Sequence, residues 1–288
     1  MQFTLACAQI SPKKADVQAN LDLVASVALQ AAGEGADLVL FPEASTSGYF
    51  LEGGVLESSL ETDQLGAELS NRILPKLKRP VDVSVGFYQK SEGNLYNATA
   101  YIEFQPGSAR VVHVYRKFFL PTYGVFDEER FVSRGKSLGI IESRFGRLGV
   151  LVCEDIWHSI LPTLCAVSGA LLLLVPSASP GRGFNGDEVQ SHERYRRLMT
   201  AVCEEHGIWC ANCQLCGFEG GKGLIGGSSV IDPFGVTVGQ SPILEPHILL
   251  AKIDFELITI ARSSSPLLSD LKSAWGDLQR ISLDTVAD

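Results

Sequence analysis

The 288-residue chain has no apolar run near the roughly 18 residues that a membrane span needs; its longest, Ala170 to Val175, has the length of a buried strand. A membrane protein is not expected. Basic residues are the minority, 24 Lys+Arg against 33 Asp+Glu, which leaves a net charge of -9. That balance repels phosphate backbones, so nucleic acid is not an expected partner. Low-complexity linkers, blocks of like charge and repeats at a period of roughly 20 to 50 residues are all missing. One layered domain over 1–288 is the simplest account, with 267–288 as a C-terminal arm. The N-terminus lacks a basic segment and turns polar at Ser11, so it reads as a first strand and the expected location is cytoplasmic. The seven cysteines form an odd set with several members in apolar runs, which suits reduced, buried thiols better than disulfides. The glycosylation match Asn97-Ala-Thr99 is set aside on the same grounds.

What is present is an alternation of strand-like and helix-like patterns, with 45% hydrophobic and 20% charged residues, as in a soluble globular protein. Asp16 can cap a helix whose Val17, Leu21, Val24, Ala28 and Ala31 share one face, ending at Gly33 and Gly35. A short buried strand follows at Asp37–Phe41, a helix around Asp63–Leu77, and strands at Val81–Tyr88, Leu95–Phe104 and Ala109–Arg116. Further on come a strand at Gly149–Val152, a helix from Ile160 to Ser168 with Ser159 as its N-cap, and a strand at Leu171–Val175. Asp187–His206 has a helical period and stops at Gly207. Strands are expected at Ile208–Leu215, Ser228–Ile231, Val236–Gly239 and Ile248–Ile253, then a helix at Glu256–Arg262 and a less ordered arm from Leu267.

In layered α/β folds, reactive groups gather where strands end, because the scaffold holds the backbone while the side chain faces a ligand. Three such ends stand out. Glu43 follows the apolar run Leu38–Phe41, Lys117 ends Val112–Arg116, and Cys153 ends Leu148–Val152. A carboxylate, an amine and a thiol are the ingredients of nucleophilic attack on an amide or nitrile carbon. A free thiol is only slightly ionised at neutral pH and needs a base. Glu43 can be that base; Lys117 and the backbone N–H of Glu154 can hold the oxyanion. Taken singly, each residue also has an ordinary reading: a solubilising carboxylate, a solvated cation beside Arg116, a packed core thiol.

Resemblance separates these readings. Phe41-Pro-Glu-Ala-Ser-Thr-Ser-Gly-Tyr49, Tyr115-Arg-Lys-Phe-Phe-Leu-Pro121 and Gly149-Val-Leu-Val-Cys-Glu-Asp155 resemble, in order, the glutamate, lysine and cysteine motifs of the nitrilase superfamily of carbon-nitrogen hydrolases. Ser177-Ala-Ser-Pro180 and Gly226-Gly-Ser-Ser-Val-Ile-Asp-Pro-Phe-Gly235 are further matches, so the resemblance spans nearly the whole chain. It implies a four-layer αββα sandwich and a Glu43, Lys117, Cys153 triad. It also implies catalysis without metal or cofactor, and a homodimer or larger homo-oligomer. The family's second glutamate is best matched by Glu128, with Glu129 the neighbouring alternative. True nitrilases usually carry Trp-Glu after the nucleophile. The Glu154-Asp-Ile-Trp157 that stands here is closer to the amidase branches, and most similar to the glutaminase domain of glutamine-dependent NAD synthetases. With a length near that of one hydrolase domain and no P-loop-like motif, the expectation is a free-standing amidase acting on a small-molecule amide through a cysteine thioester. A nitrilase, or a non-catalytic nitrilase-like binding protein, is the alternative. Tyr49, Tyr123, Glu154 and Trp157 are the candidate substrate-binding residues, with Phe126 and Phe184 as further pocket walls.

Three motifs are read as decoys. Cys210-Ala-Asn-Cys213-Gln-Leu-Cys216 has metal-site spacing, but on a strand residues three apart face opposite sides, so the first two thiols cannot share an ion. Gly221-Lys-Gly-Leu-Ile-Gly226 has dinucleotide-loop spacing without the helix that spacing must open, and reads as a flexible loop. His158 invites a Cys-His protease reading, yet the surrounding sequence lacks the signature of those enzymes.

Overall fold

The computed structural model describes residues 1–185 and 188–286. In chain order the first half holds β1 (Gln2–Gln9), α1 (Val17–Gly33), β2 (Leu38–Leu40), α2 (Val55–Ser58), α3 (Thr62–Ile73), β3 (Val81–Ser91), β4 (Asn94–Gln105) and β5 (Ser108–Arg116). After these come β6 (Ile140–Ser143), β7 (Gly146–Val150), α4 (Ile160–Val167), β8 (Leu172–Ser177), β9 (Phe184–Asn185), β10 (Glu188–Val189), α5 (Gln190–His206) and β11 (Trp209–Gln214). The chain continues through β12 (Cys216–Glu219), β13 (Lys222–Ile225), β14 (Ser229–Ile231), β15 (Thr237–Gln240), β16 (His247–Asp254), α6 (Glu256–Ser264), α7 (Leu267–Ser273) and α8 (Trp275–Val286).

Two six-stranded mixed sheets result, ordered β16-β1-β2-β3-β4-β5 and β15-β14-β11-β8-β7-β6. Period-two patterning sorts the side chains between layers. Leu5, Cys7, Leu38 and Leu40 point into a core shared with Leu148, Val150, Leu172 and Leu174 of the other sheet. Their neighbours Ala6, Ala8, Val39 and Phe41 face Leu21, Val24 and Ala28 of α1 and Leu65 and Leu69 of α3. Leu161 and Cys165 of α4 and Tyr195 and Met199 of α5 cover the far side of the second sheet. Each aliphatic side chain of Leu or Val size withdrawn in this way contributes roughly 1.5–3 kcal/mol before the entropy of ordering is subtracted. The result is the expected four-layer αββα sandwich.

Several local expectations change. Asp16 does cap α1, accepting the Ala19 N–H at 3.2 Å, whereas Ser159 makes no side-chain cap on α4. The helix before Gly207 begins at Gln190, while Asp187 lies outside the described residues. The glycine-rich stretch read as a flexible loop is instead β13, the second strand of a hairpin with β12. Leu267 onward, expected to be less ordered, forms the helices α7 and α8. All seven cysteines are buried and free. Cys203 neighbours Cys210 and Cys7 neighbours Cys213, so the two strand thiols of β11 do face opposite sides. Among the described residues, no helix is long and apolar enough to cross a membrane.

Candidate active site

The three strand ends converge. Beyond β2 the chain carries Glu43 into the interior, where its carboxylate has no solvent exposure. Gly86 on β3 makes room for that turn, because a Cβ there would stand 2.3 Å from the Pro42 carbonyl oxygen and 2.8 Å from the Glu43 Cα. Lys117, one residue past β5, is likewise fully buried, and its Nζ donates to Oε1 of Glu43 and to Oε1 of Glu128, both at 2.7 Å. Asn97 on β4 donates from Nδ2 to the same Glu43 oxygen at 2.7 Å, and its carbonyl accepts the Lys117 N–H. The Tyr49 hydroxyl donates to Glu128 Oε1.

One ammonium between two carboxylates leaves a charge imbalance in a dry interior. Burial alone would pull the Lys117 ammonium down, but the Glu128 and Glu43 carboxylates overcome it and hold the group well above its ordinary value. Burial, with Glu43 adding repulsion, pushes the Glu128 carboxyl up to about 7 against the opposing pull of Lys117. The second oxygen of each glutamate, Oε2, is buried and has no hydrogen-bond partner among the described residues. An acceptor left open in this way is ready for a proton from a reacting group. Glu129, by contrast, is exposed.

Cys153 follows β7 at the start of a short turn and sits at φ 49°, in the left-handed region that a side chain normally avoids. Asp155 holds the turn. Its fully buried carboxylate accepts the N–H of Val152 at 3.0 Å and of Phe119 at 2.8 Å, and the Tyr115 hydroxyl at 2.8 Å. It therefore ties the lysine loop to the cysteine turn, while burial pushes its own carboxyl up to about 6. The Cys153 Sγ lies 3.1 Å from the hydroxyl of Tyr195 on α5. Burial first, and the Glu43 charge second, push the thiol well above its ordinary value. The resting sulfur is thus protonated, and attack requires a base.

The candidate substrate-binding residues divide between two cavities. Tyr123, Glu154 and Trp157 line a cleft of about 520 Å³ with His158, Arg182 and Arg194. Trp157 on the cleft wall packs edge-on against Tyr195, the residue whose hydroxyl meets the sulfur, with centroids 5.0 Å apart. The Tyr123 hydroxyl donates to Glu154 Oε2 at 2.8 Å. Tyr49 and Phe126 instead line a smaller cavity of about 110 Å³ beside Glu128, with Phe50, Tyr88 and Phe131. The Phe184 side chain lies outside the described residues. His158 stacks on Phe119 at 3.7 Å between centroids, with Nε2 3.6 Å from Glu154 Oε1.

Reading motifs alone missed Asn97, Asp155 and Tyr195. Asn97 carried a visible signal that pointed elsewhere: its glycosylation match sits on a side chain 1% exposed, in contact with Glu43.

The family model for carbon-nitrogen hydrolases matches residues 4–263. The chain belongs to the carbon-nitrogen hydrolase family. A glutamine-dependent NAD(+) synthetase from Thermotoga maritima is 29% identical over 260 residues, covering 88% of this chain and 42% of the relative. The structure of a glutamine-dependent NAD+ synthetase from Acinetobacter baumannii superposes with a TM-score of 0.74 at 26% identity, covering 90% of this chain and 47% of that one. An amidase from Nesterenkonia sp. AN1 superposes with a TM-score of 0.76 at 25% identity, covering 96% of each chain. This carbon-nitrogen hydrolase chain spans half or less of the length of the synthetases it matches. Its kinship supports a hydrolase acting on carbon-nitrogen bonds other than peptide bonds.

Proposed function

We propose that this carbon-nitrogen hydrolase is an amidase, cleaving a small-molecule amide through a thioester on Cys153. The observation that carries the reading is the buried Glu43–Lys117–Glu128 cluster, with an unpartnered Glu43 oxygen in the same cluster as a thiol whose proton affinity Glu43 raises. As Sγ bonds to the amide carbon, Glu43 takes the thiol proton and the carbonyl π pair moves onto oxygen. Lys117 and the Glu154 N–H stabilise that oxyanion. Its collapse breaks the C–N bond, and the proton on Glu43 passes to the departing nitrogen, which leaves as ammonia or an amine. Water then attacks the thioester, Glu43 accepts its proton and the sulfur leaves, regenerating the thiol and releasing a carboxylic acid. Glu128 keeps Lys117 in register, and Tyr195 supplies a hydrogen bond to the sulfur as charge develops on it.

Amide over nitrile is supported by kinship. In a glutamate-to-leucine mutant of the Nesterenkonia enzyme, named an amidase, the acetamide moiety of fluoroacetamide is added covalently at the active-site cysteine. The cleft walls sharpen the choice of amide. Arg182 and Arg194 offer positive charge and Glu154 negative charge within one cleft, a set suited to the carboxylate and ammonium of an amino acid. An ω-amide amino acid such as glutamine is therefore the favoured substrate class, in keeping with the glutamine-dependent synthetases among the relatives.

The test is ammonia release from a panel of glutamine, asparagine, simple aliphatic amides, carbamoyl amines and nitriles. Turnover fastest on the amino-acid amides is expected. Turnover of nitriles alone contradicts the amidase reading, and equal rates on neutral amides contradict the charged-cleft reading.

A further inference from the structure

The loop from Ala44 to Leu51 carries Tyr49 away from the sheet, tied near its start by the Thr46 N–H on the Gly86 carbonyl of β3 and by the Asn20 side chain on the Thr46 carbonyl. Its far end is held from a distance. A single oxygen of Glu219, Oε2, accepts the backbone N–H of Tyr49 at 2.7 Å and of Phe50 at 2.9 Å, across 170 and 169 residues of sequence. Glu219 ends β12, and its side chain is only 3% exposed. Its other oxygen, Oε1, is buried without a hydrogen-bond partner among the described residues. The two peptide N–H groups are the main offset to the burial of this carboxylate, with the Lys14 ammonium adding a weaker attraction. Burial accordingly pushes its proton affinity up.

The fit around this contact is close. Gly48 sits at φ 80°, and a Cβ on it would stand 2.8 Å from Glu219 Oε1, so the loop can approach the carboxylate only with glycine there. Lys222, on β13 of the same hairpin, places its Nζ 4.6 Å from the Phe50 ring centroid. On the opposite side of Tyr49, its carbonyl accepts the Tyr88 hydroxyl at 3.1 Å. The Tyr49 backbone is thus fixed through both its N–H and its C=O, while its phenol reaches Glu128, which in turn holds Lys117.

We propose that Glu219 is a positioning residue for the amidase reaction, acting through Tyr49 to keep Glu128 and Lys117 in register. The inference rests on the proposed function, and its action is exerted wholly through the Tyr49 phenol. Removing the carboxylate releases two peptide N–H groups and lets the phenol leave Glu128.

The experiment compares ammonia release by wild type, Glu219→Ala, Glu219→Gln, Tyr49→Phe and the Tyr49→Phe/Glu219→Ala double variant. Glu219→Ala is expected to lower kcat about tenfold with KM changed by less than about twofold, as for loss of an interaction that matters in the transition state. Glu219→Gln, whose amide oxygen still accepts both N–H groups, is expected to retain kcat within about threefold of wild type. Adding Glu219→Ala to Tyr49→Phe should cost less than about twofold more, since both remove the same contact. Wild-type kcat in Glu219→Ala, or losses that multiply in full in the double variant, overturns the proposal. Should Glu219→Ala fail to fold, Glu219→Asp, one methylene too short to reach both N–H groups, is judged by the same two criteria. The rate of Cys153 alkylation by iodoacetamide is followed in every variant. If wild type hydrolyses no amide, the function proposal fails on its own, and alkylation still decides the positioning role by the same pattern.

Discussion

The Lys117 ammonium lies 2.7 Å from Glu43, and neither side chain has any solvent exposure. An ion pair so placed is sensitive to the loss of either member, because the survivor is left charged in a medium that cannot solvate it. Lys117→Met leaves two carboxylates facing each other. It should destabilise the protein by about 3–5 kcal/mol in urea unfolding and abolish ammonia release. A variant that is fully stable and active contradicts the placement.

Asn97 is the neutral member of that cluster, donating to the Glu43 oxygen that also receives Lys117. Asn97→Ala removes one of two donors and frees the carboxylate to turn. We expect kcat to fall about tenfold, corresponding to one hydrogen bond to a charged group, with the fold retained by circular dichroism.

Tyr195 gives a separate prediction. Its hydroxyl is the group 3.1 Å from the sulfur, and burial keeps its own proton on. Tyr195→Phe takes a donor from the developing thiolate. The pH profile of Cys153 alkylation should move to higher pH, and kcat should drop about tenfold. An unchanged profile would show that the hydroxyl only packs there.

Glu128 links protonation to stability. Its carboxyl holds a proton to about pH 7 in the folded chain, against an ordinary value of 4.5. The folded state therefore binds more protons than the unfolded state between those values, and stability is lost as pH rises through that window. The total is on the order of 3 kcal/mol. Glu128→Gln cannot ionise, so its stability relative to wild type should improve between pH 5 and pH 8. An unchanged difference at the two pH values contradicts the assignment. Asp155, raised to about 6, adds a drop of the same sign that both proteins share.

Much of this arrangement was legible in the chain itself. Apolar runs that stop at Glu43, Lys117 and Cys153 define strand ends, and strand ends of one α/β sandwich meet along a common edge, so the cluster followed from local pattern plus motif. What stayed hidden depends on partners far away in sequence. Glu219 finds the Tyr49 backbone across 170 residues. Tyr195 carries a helical period that reads as core, and it is core, yet its hydroxyl meets the sulfur. Asp155 lay inside a quoted motif with no role, because only the fold shows the three backbone N–H groups it gathers. The β12–β13 hairpin was obscured by its glycines, whose free dihedrals match a loop as well as a turn between strands. The short edge strand β6 offers only four residues of pattern, too few to distinguish from a turn.

The account stands on a covalent bond between the substrate acyl group and Cys153. Acid-quenching the enzyme during steady-state turnover of its best amide, followed by peptide mass spectrometry, observes that bond directly. The acyl mass should appear on the peptide containing Cys153 in wild type and be missing from Cys153→Ala, which should release no ammonia. Turnover with an unmodified Cys153 peptide and an active Cys153→Ala variant would contradict the account.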